Sequence, residues 1–306
     1  MTGEHMTHSV EYARMVALPG RSAADVVKET AHRDVKTVGT FWALDDDEHD
    51  VHFRAAHDLV DSASVPRHRH TFEQVYFHIA GQQTMGGRTR PPGTFAYHPE
   101  SVHYGPVSND GSGEQLEMIV CQFPGPSGGL FGSNEDVGRA MKAMREQGAS
   151  VERGLVVWPD GRKQDSTEAA FEYLMGDSLA YAPPVYDEPL VVHAPSIAWR
   201  PSSPGVSVKR LGAFGDRGPI ASIIRLDPGA STTAGTTDWA EMRFVYQGTV
   251  TVDGQHHERV SAWYCPPGTE AAAMTATDEG ADILVIQVQR GRLATGVGAT
   301  LPKLPA

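Results

Sequence analysis

Two stretches of this 306-residue chain repeat one pattern without a gap, and that repeat limits what the chain can fold into. Gln74 and Glu241 each stand seven residues before a glycine, Gly81 and Gly248, in the strings Gln-Val-Tyr-Phe-His-Ile-Ala-Gly and Glu-Met-Arg-Phe-Val-Tyr-Gln-Gly. Pro99 and Pro266 stand in the similar strings Ala-Tyr-His-Pro and Trp-Tyr-Cys-Pro, and the offset is 167 residues in both cases. Two landmarks agreeing on one offset imply two copies of one domain, which the chain is long enough to supply.

Each copy reads as all-β. Short segments rich in aromatic and β-branched residues are punctuated by Gly, Pro and Asp, as in antiparallel strands joined by turns. In the first copy these are Val51 to Ala55, Gln74 to Ile79, Phe95 to His98 and Leu116 to Phe123. In the second they are Ser222 to Leu226, Met242 to Tyr246, Thr249 to Val252 and Ile283 to Val288. The material between them has helical spacing instead. Glu135 to Gln147 carries Val137, Met141 and Met144, and Ser166 to Met175 carries Ala169, Ala170, Phe171 and Leu174, with Ser166 and Thr167 as caps. Ala23 to His32 is a further short helix in this reading. The expected division is an N-terminal extension (1–36), a first β domain (37–125), a partly helical linker (126–188), a second β domain (189–295) and a tail (296–306).

The formal charge of −12 repels phosphate backbones and anionic surfaces, and no basic run offsets it, so neither nucleic acid nor membrane is an expected partner. Cys121 and Cys265 lie far apart inside apolar runs, which reads as two buried free thiols in a reducing cytoplasm. Met1 to Val16 has no long apolar stretch, so neither a signal peptide nor an anchor is expected there. The Asp45-Asp46-Asp47-Glu48 run lacks the spacing of a calcium loop and reads as a solvated turn. Gly125 to Gly132 lacks the Lys-Ser/Thr of a phosphate loop and reads as linker.

Of the fourteen histidines, His68 and His70 stand out. Residues two apart on a strand share a face, so both imidazoles can enter a barrel while Arg69 faces away. His78 shares the face of Gln74 and Tyr76 by the same alternation, which makes His78 and Tyr76 candidates for orienting substrate or moving protons.

The landmarks resemble the two motifs of the cupin superfamily, Gly-x5-His-x-His-x3-4-Glu-x6-Gly and Gly-x5-Pro-x-Gly-x2-His-x3-Asn. The first is matched by His68, His70 and Gly81, with Gln74 where the family has Glu and Ser62 at the opening glycine. The second is matched by Gly93 and Pro99, with Ser101 at the inner glycine and Ser108 at the closing asparagine. The likeness covers both β blocks and implies two double-stranded β-helix (jelly-roll) barrels, a bicupin, with a homodimer as the expected assembly.

The resemblance also implies one divalent transition metal in the first barrel, held by His68, His70, Gln74 and a fourth ligand. Without a gap the motif's histidine falls on Tyr104, whereas a one-residue contraction of the turn at Ser101 brings His103 inward. His103 is the expected ligand, with Tyr104 and His98 as alternatives and Glu73 as the alternative to Gln74. In the second copy the 167 offset puts Gly235, Thr237 and Glu241 at the positions of His68, His70 and Gln74, with Glu270 at that of His103 and Ala271 at that of Tyr104; one or two carboxylates without imidazole rarely hold a transition metal, so no metal is expected there. The implied function is a non-haem Fe(II) oxygenase acting on a small organic molecule. With Mn, Ni, Cu, Co or Zn, a redox-neutral isomerase, cyclase, decarboxylase or lyase is implied. A non-catalytic, small-ligand-binding cupin is the reading from another class. Phe53, Tyr76, Phe95 and Tyr97 would suit an apolar or aromatic ligand, or equally serve as core.

Overall fold

The computed structural model describes residues 34–288 apart from 47–50, 110, 112, 130–133, 153, 177 and 216–217. The helix expected at Ala23 to His32, the tail, and part of the acidic run lie outside the described residues. The first β domain contains β1 (Asp34–Asp46), β2 (Val51–Val65), β3 (Phe72–Ala80), β4 (Gln83–Met85), β5 (Arg88–Arg90), β6 (Thr94–His98), β7 (Val107–Asn109) and β8 (Leu116–Pro124). They curl into one antiparallel sheet in the order β6-β3-β8-β2-β7-β4-β5, with β1 paired to β2. Every strand anticipated for this copy lies within an observed one.

The linker carries α1 (Asn134–Glu146), β9 (Ser150–Glu152), β10 (Leu155–Val157), β11 (Lys163–Asp165) and α2 (Ser166–Met175). Both helices were expected. The three-stranded sheet was not, because its strands are only three residues long and carry no readable alternation. Ala140, Met144, Ala149, Val156, Ala169, Ala170 and Leu174 make this segment a small core of its own. The cap of α2 is Asp165, one residue before the expected pair, since its carboxylate accepts from the backbone N–H groups of Thr167 and Glu168.

The second domain follows with β12 (Leu190–His193), β13 (Arg200–Ser203), β14 (Val206–Ala213), β15 (Ile220–Leu226), β16 (Gly235–Thr236), β17 (Ala240–Val252), β18 (Gln255–His257), β19 (Ser261–Cys265), β20 (Glu270–Ala271) and β21 (Met274–Val288). β12 lies beyond the boundary expected at residue 189, yet its backbone pairs with β6, so the sequence of the second domain completes the sheet of the first. The two sheets also share a core. Phe53, Val75, Phe77, Phe95, Tyr97, Ile119 and Cys121 pack with Leu211, Phe214, Met242, Phe244, Leu284 and Ile286. Phe214 is the key between the halves, with its ring 5.4 Å from that of Phe95 and 5.2 Å from that of Tyr97. Phe53, Phe95 and Tyr97 are therefore interface core, and of the four aromatics only Tyr76 borders the first barrel's interior clusters.

The 167-residue repeat is written into the hydrogen bonds. His68 and Tyr104 form an antiparallel bridge in the first copy, and Gly235 and Ala271 pair at the same offset in the second. Ser101 N–H donates to His70 C=O at 2.9 Å, and Gly268 N–H donates to Thr237 C=O at 2.7 Å. Gly81 and Gly248 both hold left-handed backbone, at φ 67° and 73°.

Candidate functional site

One face of β2, β3, β6 and β8 is spent on the inter-barrel core, which leaves the opposite face to line the interior of the first barrel. Strand alternation therefore brings Gln74, Tyr76 and His78 of β3, His98 of β6 and Gln122 of β8 to that interior. Register confirms it, since Gln74 stands directly across from His98 on one side and from Gln122 on the other. Glu73 points the other way and accepts a 2.6 Å hydrogen bond from Tyr97 Oη.

His68 and His70 come from the segment between β2 and β3, and both are buried. His68 Nδ1 lies 2.7 Å from the carbonyl of Pro66, which can only accept, so Nδ1 carries the proton and Nε2 presents a lone pair. Tyr104 Oη lies 3.0 Å from that Nε2 and donates to it. His70 Nε2 is 3.4 Å from the same oxygen, and Tyr76 Oη is 3.2 Å away. Two imidazoles and a second phenol thus converge on one phenolic oxygen.

His103, the expected fourth ligand, is not among them. The His68–Tyr104 bridge exchanges both backbone hydrogen bonds, at 3.0 and 2.9 Å, which puts Tyr104 on the same face as His68 and turns its neighbour outward. His103 is exposed, among the charges of Arg69, Asp165, Arg67 and Glu168. The contraction that would have brought it inward does not occur, because Ser101 takes the left-handed backbone of the motif's glycine at φ 63°. Arg69 faces outward as expected, ion-paired with Glu168 of α2 and with its guanidinium 5.0 Å from the Tyr181 ring centre.

Gln74 Oε1 accepts from Gln122 Nε2 at 2.8 Å. The second barrel has the same contact, Gln287 Nε2 to Glu241 Oε2 at 2.8 Å, where the carboxylate obliges the glutamine to donate. The free end of Gln74 is accordingly its NH2 group, which has no partner among the described residues. Sequence reading passed over Gln122. Its signal was the match of Gln122 with Gln287, obscured by an offset two residues shorter than that of the other landmarks.

Burial pushes the His78 imidazole down to about 4, and Nδ1 lies 3.3 Å from the carbonyl of Arg90. His78 is thus neutral in ordinary buffers and donates to that carbonyl. His98 is fully buried and shifted well down for the same reason. A base with a folded pKa below its unfolded value leaves stability intact above about pH 6.5 and loses it as pH falls toward 4. The loss from His78 alone is about 3 kcal/mol. Melting temperature measured from pH 7.5 to 4.5 is expected to fall across that window, and less steeply for His78→Leu. An unchanged slope in that variant would rule out His78 as a source.

In the second barrel, Thr237, Glu241 and Ala271 follow the 167 offset from His70, Gln74 and Tyr104, and Arg243 follows it from Tyr76. Glu241 and Arg243 ion-pair with each other. Among the described residues of the whole chain, no three His, Cys, Asp or Glu side chains are grouped as metal ligands.

No curated protein matches the sequence. The sequence profile of the ChrR cupin-like domain matches residues 187–290, which is β12 and the second barrel. Among solved structures, oxalate decarboxylase from Bacillus subtilis superposes with TM-score 0.54 at 12% identity, over 90% of this chain and 77% of that one. The chain has the fold of a two-domain cupin. A "putative dioxygenase" from Nostoc punctiforme PCC 73102 superposes on the cupin pair over 95% of both chains, with TM-score 0.51 and 12% identity. A further structure of the B. subtilis enzyme, concerned with its Mn(II) centres, covers 90% of this bicupin and 78% of that chain, at TM-score 0.51 and 12% identity. At such identities the likeness is one of fold. No helix among the described residues of the bicupin is long and apolar enough to cross a membrane.

Proposed function

We propose that the first barrel of this bicupin is a metal-dependent enzyme site for a small organic molecule. In this reading His68, His70 and Tyr104 hold one divalent transition metal, iron(II) in the oxygenase form. The observation that carries it is the convergence of His68 Nε2 and His70 Nε2 on Tyr104 Oη, with the His68 tautomer set by a backbone carbonyl. A ligating histidine characteristically gives its other N–H to such an acceptor. Imidazole and phenol oxygen together suit iron and its first-row neighbours. Such a metal, when bound, would supply a Lewis-acidic centre with open positions for substrate and dioxygen.

The chain's own residues do the remainder. Pro66 C=O locks the His68 ring, and Tyr104 would hold the metal through its Oη. Tyr76 Oη, 3.2 Å away, is placed to donate to that oxygen. His78, neutral and tied to Arg90 C=O, orients rather than titrates. Tyr76, Met85 and Val107 wall the interior with apolar surface that excludes water.

The redox-neutral form uses the same residues, and the Mn(II) centres of the structurally similar decarboxylase are its precedent in this fold. A metal-free ligand-binding barrel is the second reading. It is favoured by the glutamine at position 74, where the motif has a carboxylate. Elemental analysis of protein purified without chelator separates the three. Stoichiometric iron with oxygen uptake on turnover supports the oxygenase. A redox-inert metal in active protein overturns it in favour of the redox-neutral form. Metal-free protein with full ligand affinity overturns both enzyme forms.

A further inference from the structure

Four polar side chains near this site carry buried atoms without a hydrogen-bond partner among the described residues: Gln74 Nε2, Gln83 Oε1, Arg90 Nε and both ring nitrogens of His98. Buried polar atoms are usually paired, so several orphans in one region point to a group that completes them. These orphans are neighbours. His98 stands directly across the β3–β6 ladder from Gln74, and Gln83 directly across the β4–β5 ladder from Arg90. Gln83 and Met85 are both buried, two apart on β4, and Met85 packs with Tyr104 and Val107, so this end of the sheet faces the same interior. The positive charge of Arg90 is felt by both His78 and His98.

We propose that Gln74, His98 and Arg90 form a subsite for the carboxylate of an organic acid whose apolar body lies along Tyr76, Met85 and Val107. A carboxylate is an acceptor with several lone-pair sites, and these three side chains present donors: the Gln74 amide, the His98 N–H and the Arg90 Nε–H. Gln74 is available because Gln122 occupies its oxygen. His98 offers a ring N–H, since both of its buried ring nitrogens lack a partner among the described residues. The complementary charge comes from Arg90, which is half-buried beside Arg88 and has Glu188 as an acidic neighbour. An anion bound there would relieve the repulsion between the two arginines. The Tyr76 ring stands edge-on to His98 at 4.9 Å, so the polar subsite adjoins the apolar wall directly.

This rests on the reading of the first barrel's interior as the working site, and it needs no metal. The full chain, stripped by chelator and then freed of it, is titrated calorimetrically with benzoate, phenylacetate and hexanoate and with the three matching amides. At least one acid is expected to bind about tenfold or more tightly than its amide. Arg90→Gln and His98→Phe are each expected to weaken that acid by about tenfold, and Arg90→Gln, which removes the charge, to narrow the gap between acid and amide. Arg90 is partly exposed, so its variant remains informative if His98→Phe does not fold, which a melting curve reports. No acid bound by wild type, equal binding of acid and amide, or wild-type affinity in Arg90→Gln would each overturn the subsite. Retention of acid binding in His68→Ala/His70→Ala, whatever that variant's metal content, separates this proposal from the metal reading.

Discussion

With His68 and His70 both replaced by alanine, the purified protein is expected to carry metal only at background level and to lose activity by well over about 100-fold, while its melting temperature stays near that of wild type. Among the described residues, these two imidazoles are the histidines that converge on Tyr104 Oη through Nε2, at 3.0 and 3.4 Å, so removing them leaves one phenol, which alone holds no divalent ion. Tyr104→Phe keeps the ring and deletes the oxygen on which the site converges, and should lower metal occupancy by about 10- to 100-fold. His103→Ala is the matched control. That side chain is exposed and on the far side of the His68–Tyr104 bridge, so metal content and activity are expected within about twofold of wild type. Metal analysis of the three proteins prepared in parallel decides the matter. A His103→Ala protein that lost its metal, or a Tyr104→Phe protein that kept all of it, would return the fourth position to His103.

Gly248→Ala is expected to destabilise the protein by about 2–5 kcal/mol and Gly81→Ala by a similar amount. Each glycine stands at the end of the motif string, where a neighbouring strand crosses against the backbone and the register slips. Both have left-handed φ, at 67° for Gly81 and 73° for Gly248, which costs any residue with a Cβ about 1–2 kcal/mol. A Cβ on Gly248 would also sit 1.9 Å from the carbonyl oxygen of Gly280 and 2.9 Å from Cα of Ala281. One on Gly81 would sit 2.6 Å from Gln115 O and 2.8 Å from Leu116 Cα. Those atoms are backbone and cannot swing away, which adds about 1–3 kcal/mol of overpacking. Gly87→Ala isolates the first cost, since its φ is 76° and nothing lies within 4 Å of the built Cβ. Urea midpoints for the three variants measure the difference. Equal midpoints for Gly248→Ala and Gly87→Ala would show that the close approach carries no energy.

Much of this molecule is legible in its sequence for one physical reason: strand alternation and a gap-free repeat are local properties of the chain. They place His68, His70, Gln74, Tyr76 and His78 on one side, Glu73 on the other, and they leave the second barrel without imidazoles at the corresponding positions. What the expectation missed turned on backbone conformation at a single residue. Ser101 adopts the left-handed turn of a glycine, so the count that ends on Tyr104 holds and the contraction that favoured His103 does not take place. Spacing along the chain could not reveal this, because a residue's identity does not disclose its φ.

Three further features belong to tertiary structure alone. β12 follows the second domain's expected boundary yet pairs with β6, because an open edge of the first sheet is completed by whichever segment reaches it. Gln122 reaches Gln74 because β8 lies beside β3, a neighbour relation that sequence distance does not contain. The orphaned donors of Gln74, His98 and Arg90 are meaningful only once three strands have brought them together. The sequence by itself therefore determined the duplicated all-β fold, the His-x-His pair and the loss of its counterpart, since periodicity and spacing act along the chain. The tertiary structure decided which phenol joins the pair, which glutamine atom is free and which face is core, since those depend on contacts between strands that only folding creates.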